Sequence, residues 1–150
     1  MKDNGCRVQE PAANSRTRYF SVDEANRALV LVRRIVADIV GGYRRLMDLQ
    51  EALEAMQSQP RPACEEVRAE LIGMVERLQD CLAELEEVGV ELKDWAIGLV
   101  DFPCLWHGRA VNLSWQHGEP RVSFWHEAGD GAATRMPLAN LLLEEMAVAK

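Results

Sequence analysis

His126 and Glu127 stand together near the end of an alternating apolar run, and Lys93, Asp94, Asp101, Arg109 and Arg121 precede them in the same stretch of chain. An imidazole beside a cation is driven toward its neutral form, which suits a general base or a metal ligand. A carboxylate from Asp94 or Asp101, joined to His126 and Glu127, makes a donor set for a hard or borderline divalent ion. The seven residues are the candidate ligand-binding group, with His126, Glu127 and Asp101 the candidate metal donors. Each also has a plain structural account. Asp94 can cap a turn, Asp101 can pair through Ser114 with Arg121, and His126 can be a satisfied structural histidine. No nucleophile motif, phosphate loop or paired-histidine zinc motif accompanies them, so no reaction is assigned. A divalent metal at this cluster is the one cofactor the residue types suggest, and the main expectation is none.

The elements that position these residues are legible in the stretch from Val88 to Glu127, which holds all four tryptophans and all three histidines. His107-Gly108 and His117-Gly118 each separate alternating apolar runs, and Gly supplies the positive φ of a two-residue hairpin turn. A three-stranded antiparallel meander over residues 98–127 is predicted. With both turns of two residues, Phe102 faces Leu113 and then Val122, Cys104 faces Val111 and then Phe124, and Val100 faces Trp115. On the other face Asp101, Ser114 and Arg121 form one row, and Leu105, Ala110 and Trp125 another. Arg109 then sits opposite His126. A slip of one residue would reverse every side chain, which makes the register a sharp expectation. Pro103, lacking an N–H, places the first strand at an edge.

Helices support the meander. Ser21 and Glu24 form a capping box, and Val22, Ala25, Leu29, Val32, Val36, Ile39, Tyr43, Leu46 and Leu53 step by three and four, with Gln50 breaking the seam. Gly41-Gly42 inside that run predicts a kink or a close helix contact. Pro60 and Pro62 end the first helix by Ser58. From about Ala63 a second seam runs through Val67, Leu71, Met74, Leu78, Cys81, Leu85 and Val88 to Gly89, a helix stop. The short connection implies an antiparallel hairpin over 21–88, acidic on its second helix and arginine-rich on its first. Arg33-Arg34 and Arg44-Arg45 read as a solvated face partly paired with the second helix, or as an anion-binding stripe. Leu138, Leu141, Leu142 and Met146, opened by Pro137, predict a C-terminal helix over 137–149. Residues 1–18 lack periodicity and are expected to be a disordered tail, leaving one domain over 19–150.

A net charge of -7 argues against nucleic acid or an anionic membrane as partner. No apolar run is long enough to span a bilayer, and the four cysteines lack metal-ligand spacing, so a cytoplasmic protein with reduced thiols is expected. The run RYFSVDEAN from Arg18, followed by GVELKD, GLVDFP, GRAVNLSW and FWHE, resembles the bacterial family known as domain of unknown function 2203. The resemblance covers nearly all of Tyr19 to Leu138 and implies a small bacterial cytosolic protein. It brings no catalytic residue, because the family has no assigned reaction. Leu113-Ser114-Trp115 stands where that family often has a cysteine in the middle position. The fold expected is α+β: a long, coiled-coil-like antiparallel helical hairpin, a three-stranded antiparallel β-meander and a short C-terminal helix. The function expected is a non-enzymatic module that self-associates into a homo-oligomer through its helical seams. The alternative is a metal-dependent enzyme or small-ligand-binding protein with a polar site around His126.

Overall fold

Ser21 Oγ accepts the Glu24 N–H at 3.1 Å while the Glu24 carboxylate accepts the Ser21 N–H at 2.9 Å, so the capping box starts helix α1, Val22–Ala55. The computed structural model describes residues 18–129 and 134–141. The expected tail, apart from Arg18, and the expected C-terminal helix beyond residue 141 lie outside the described residues. Helix α2, Arg61–Val88, carries Pro62 in its first turn, where a missing N–H costs nothing, and ends at Gly89 with φ 100°. It starts two residues earlier than the apolar seam suggested, and α1 stops at Ala55, by Ser58 as expected.

The two helices pack as an antiparallel hairpin. Gly41-Gly42 does not interrupt α1, and the close contact falls on one glycine only. A Cβ at Gly42 would lie 2.9 Å from Leu78 Cδ2 and 3.2 Å from Met74 Sδ, whereas one at Gly41 would meet nothing within 4 Å.

Among the described residues five short strands follow in meander order: β1 Glu91–Asp94, β2 Leu99–Trp106, β3 Arg109–Gln116, β4 Phe124–Glu127 and β5 Met136–Pro137. The sequence showed three because β1 and β5 are too short for alternation to register. Pro137 closes β5, and the helical residues 138–141 begin just after it. The first hairpin turn is as expected: His107 and Gly108 both have positive φ, 52° and 81°. Val100 pairs with Trp115, Asp101 with Ser114, Phe102 with Leu113, Cys104 with Val111, and Leu105 with Ala110.

The second turn overturns the expected register. Val111 pairs with Glu127, Asn112 with His126, Leu113 with Trp125 and Ser114 with Phe124. Leu113 does not face Val122, Val111 does not face Phe124, Ala110 does not face Trp125, Ser114 does not face Arg121, and Arg109 does not lie opposite His126. In the His117-Gly118 turn only Gly118 has a positive φ, 101°, so it lacks the two positive φ angles with which the first turn carries its strands on in register. Instead Glu119 closes the end of β3: its N–H donates to Gln116 O at 2.9 Å, its carboxylate accepts the Gln116 N–H at 2.8 Å, and its carbonyl accepts the Trp115 indole N–H at 3.0 Å. Val122 turns to α1, where Asn26 Oδ1 accepts its N–H at 2.8 Å. The strand resumes only at Phe124, an odd number of positions off, so its faces are exchanged.

Pro103 is not on an edge strand. β1 lies outside β2, but its pairing reaches only Asp101, so the missing donor falls beyond the ladder, and Pro103 O accepts the Phe20 N–H at 2.7 Å.

One face of the sheet carries Val100, Phe102, Cys104, Val111, Leu113, Trp115 and Trp125, which join Ala25, Leu29, Val32, Ile35, Val36 and Ile39 of α1 in the core. Gly98, φ 68°, allows the closest approach: a Cβ there would sit 2.7 Å from Val36 Cγ1. Among the described residues, no helix is long and apolar enough to cross a membrane.

Candidate functional site

Pairing parity sends Asp101, Ser114, Phe124 and His126 to the sheet face opposite α1, the face an antiparallel sheet usually leaves to solvent. Yet Asp101, Ser114 and His126 are fully buried, at 0%, 0% and 1% exposure. Asp101 from β2 and His126 from β4 reach toward each other across β3, and His126 Nε2 lies 3.0 Å from Asp101 Oδ2. The other ring nitrogen, Nδ1, lies 3.0 Å from the backbone carbonyl oxygen of Glu127. Asp101 Oδ1 has no hydrogen-bond partner among the described residues. Burial pushes the Asp101 carboxyl above the usual carboxylate range, against the pull of the hydrogen bond from His126 and the more distant Lys93 charge, and with Glu91 adding to the rise.

A second polar group adjoins the first. Arg135 Nε donates to Ser114 Oγ at 2.8 Å, its Nη2 reaches the Glu119 carboxylate at 2.7 Å, and its guanidinium lies 4.3 Å from the centre of the Phe124 ring. Sequence reasoning found neither Arg135 nor Glu119. The one available signal was Glu119 beside Pro120, a pair that halts a strand.

The seven candidates thus divide. Asp101 and His126 meet. Lys93 forms an ion pair with Glu91 at 2.9 Å, which holds its ammonium above its ordinary pKa, and it acts on Asp101 only through space. Asp94 caps the turn between β1 and β2, accepting the N–H groups of Ala96 and Ile97 at 2.9 and 3.1 Å. Arg109 and Glu127 form a forked ion pair at the end of the sheet, with Nε to Oε1 at 3.3 Å. Arg121 is exposed on the connection that leaves β3. The arginine pairs of α1 are used structurally: Arg33 donates to Pro120 O at 2.9 Å, and Arg45 pairs with Glu70 at 2.6 Å.

Of the proposed donors only Asp101 and His126 converge, for the Glu127 carboxylate is turned to Arg109. Among the described residues no group of three His, Cys, Asp or Glu side chains is placed to hold a metal. Nor do Ser114, His126 and Asp101 make a catalytic triad, since Nδ1 is committed to a carbonyl and Ser114 to Arg135. What the pair does is join β2 to β4 across β3, out of contact with water.

A helical hairpin carrying a meander, with a buried His–Asp pair on the far side of the sheet, defines the class of protein. The chain belongs to the family described as "Uncharacterized conserved protein (DUF2203)", whose model matches residues 18–138. No curated protein and no solved structure matches it.

Proposed function

We propose that the protein is a non-enzymatic interaction module that pairs with a second copy of itself through the far half of the helical hairpin. One observation carries the reading: the hairpin outruns its sheet. Helix α1, at 34 residues, is about 51 Å long, while an eight-residue strand spans about 27 Å. Beyond Ile39, α1 buries only Leu49, and before Leu78, α2 buries nothing, although Leu46, Leu53, Leu71 and Met74 lie along that seam. Met47 and Ile72 are exposed there at 39% and 52%. Each half carries both signs, Arg44 and Arg45 with Asp48, Glu51 and Glu54 on α1, and Arg61, Arg68 and Arg77 with Glu65, Glu66, Glu70 and Glu76 on α2. A second copy laid alongside, α1 of one hairpin against α2 of the other, can therefore set opposite charges against each other across a four-helix layer.

Sedimentation or light scattering at micromolar concentration tests the proposal. A dimer that dissociates in Ile72→Glu supports it, and a monomer across that range overturns it. The reading includes no resident metal or cofactor, so untagged protein should show no bound metal by elemental analysis and no thermal shift with divalent ions. The acidic balance favours no retention on DNA or RNA even at low salt.

A further inference from the structure

The contacts of the His126 ring fix a hydrogen count. A carbonyl oxygen can only accept, so Nδ1, facing Glu127 O at 3.0 Å, carries a hydrogen. Between Nε2 and Asp101 Oδ2, also 3.0 Å apart, a second hydrogen is needed, either on Oδ2 and donated to imidazole or on Nε2 and donated to carboxylate. In both forms the pair holds one hydrogen more than a neutral imidazole and a carboxylate together. Without it, one of the two contacts becomes lone pair against lone pair where water does not reach. Asp101 Oδ1, buried with no donor among the described residues, adds to the cost of a carboxylate at this place. The surrounding charges largely cancel. From β1, Lys93 and Glu91 act on Asp101 in opposite senses while paired to each other. From β3 only uncharged Asn112 and Ser114 adjoin, Glu127 of β4 is met by Arg109, and Arg135 is held by Glu119.

We propose that the Asp101–His126 pair is a proton-binding device, retaining at neutral pH a proton that the unfolded chain gives up, so that protonation locks β4 to β2. Free Asp and His side chains titrate near about 3.9 and 6.5, so above about pH 7 the unfolded chain holds neither proton. The native pair still holds one. The native state therefore binds more protons, and stability falls as pH rises from about 6 to about 8, levelling off below about 6 where both states are protonated. Cys81 and Cys104, whose thiols burial pushes up, act in the same direction only as pH passes about 8.5, where a free thiol ionises, so they leave this window clear.

The test is thermal unfolding of the full chain between pH 5.5 and 8. The wild type should lose several degrees of Tm across the interval. Asp101→Asn, whose amide supplies a permanent N–H to Nε2, should reverse the wild-type trend, its Tm falling toward acid pH because only the unfolded chain takes up a proton below about pH 6.5, while His107→Gln and His117→Gln should keep the wild-type slope. An Asp101→Asn protein with the wild-type slope overturns the proposal. Nitrogen NMR of the wild type decides independently of any variant's folding. The Asp101 carboxyl and the His126 imidazole should together carry two hydrogens, one of them on Nδ1, at every pH of the interval. A pair that loses one of the two within the interval overturns the proposal.

Discussion

The near half of the hairpin and its far half are built from the same heptad spacing and meet different fates. Near the sheet, Val32, Val36 and Ile39 of α1 lie wholly or almost wholly buried against Val100, Phe102 and Leu113. Farther out, Leu46, Leu53, Leu71 and Met74 remain partly exposed because each helix has only the other to cover it. A seam of apolar residues thus specifies that helices pair. How much each residue stabilises the fold depends on whether a third layer closes over it.

Substitutions can break or sharpen this contrast. Leu113→Ala, at 0% exposure, should cost about 2–5 kcal/mol in urea unfolding, whereas Leu71→Ala in dilute solution should cost about 1 kcal/mol. Equal costs would erase the difference between the halves. Gly98→Ala should cost about 1–3 kcal/mol for its positive φ alone, with more from the contact on Val36. Gly41→Ala should act the other way, raising stability by about 0.5–1 kcal/mol through helix propensity, since its Cβ meets open space. Gly42→Ala should fall short of that gain because Leu78 must shift, and thermal melts of the two variants compare them directly. Glu70→Gln should change stability by about 1 kcal/mol or less, because both it and Arg45 are half-exposed. A double-mutant cycle giving more than that would mark the far half as better covered than a lone hairpin allows.

What could be read from the residues was what neighbours in sequence decide. The capping box, the proline break, the Gly89 stop and the His107-Gly108 turn each involve residues a few positions apart, and each is present as expected. The second turn was not legible because the groups that set it are distant. Asn26 of α1 takes Val122 out of the ladder, and Arg33 holds Pro120. Asp101 and His126 were both singled out, but with Arg121 and Arg109 as their neighbours. An odd shift in one strand exchanged its faces and brought the two to each other. Arg135 lies past the Gly129 link, where no periodicity tied it to Ser114.

The strand order has a kinetic meaning. Because each strand pairs with the next along the chain, and α1 with α2, the ladders and the hairpin close only short loops. The long loops are those closed when α1 settles on the sheet and Phe20 donates its N–H to Pro103 O at 2.7 Å. Refolding should accordingly be rapid for a mixed α/β chain, with its barrier at the docking of two preformed halves. Leu71→Ala, in the hairpin already formed at that barrier, should then slow refolding in stopped-flow traces by nearly its full equilibrium cost, and Val36→Ala, in the layer still docking, by only part of its own.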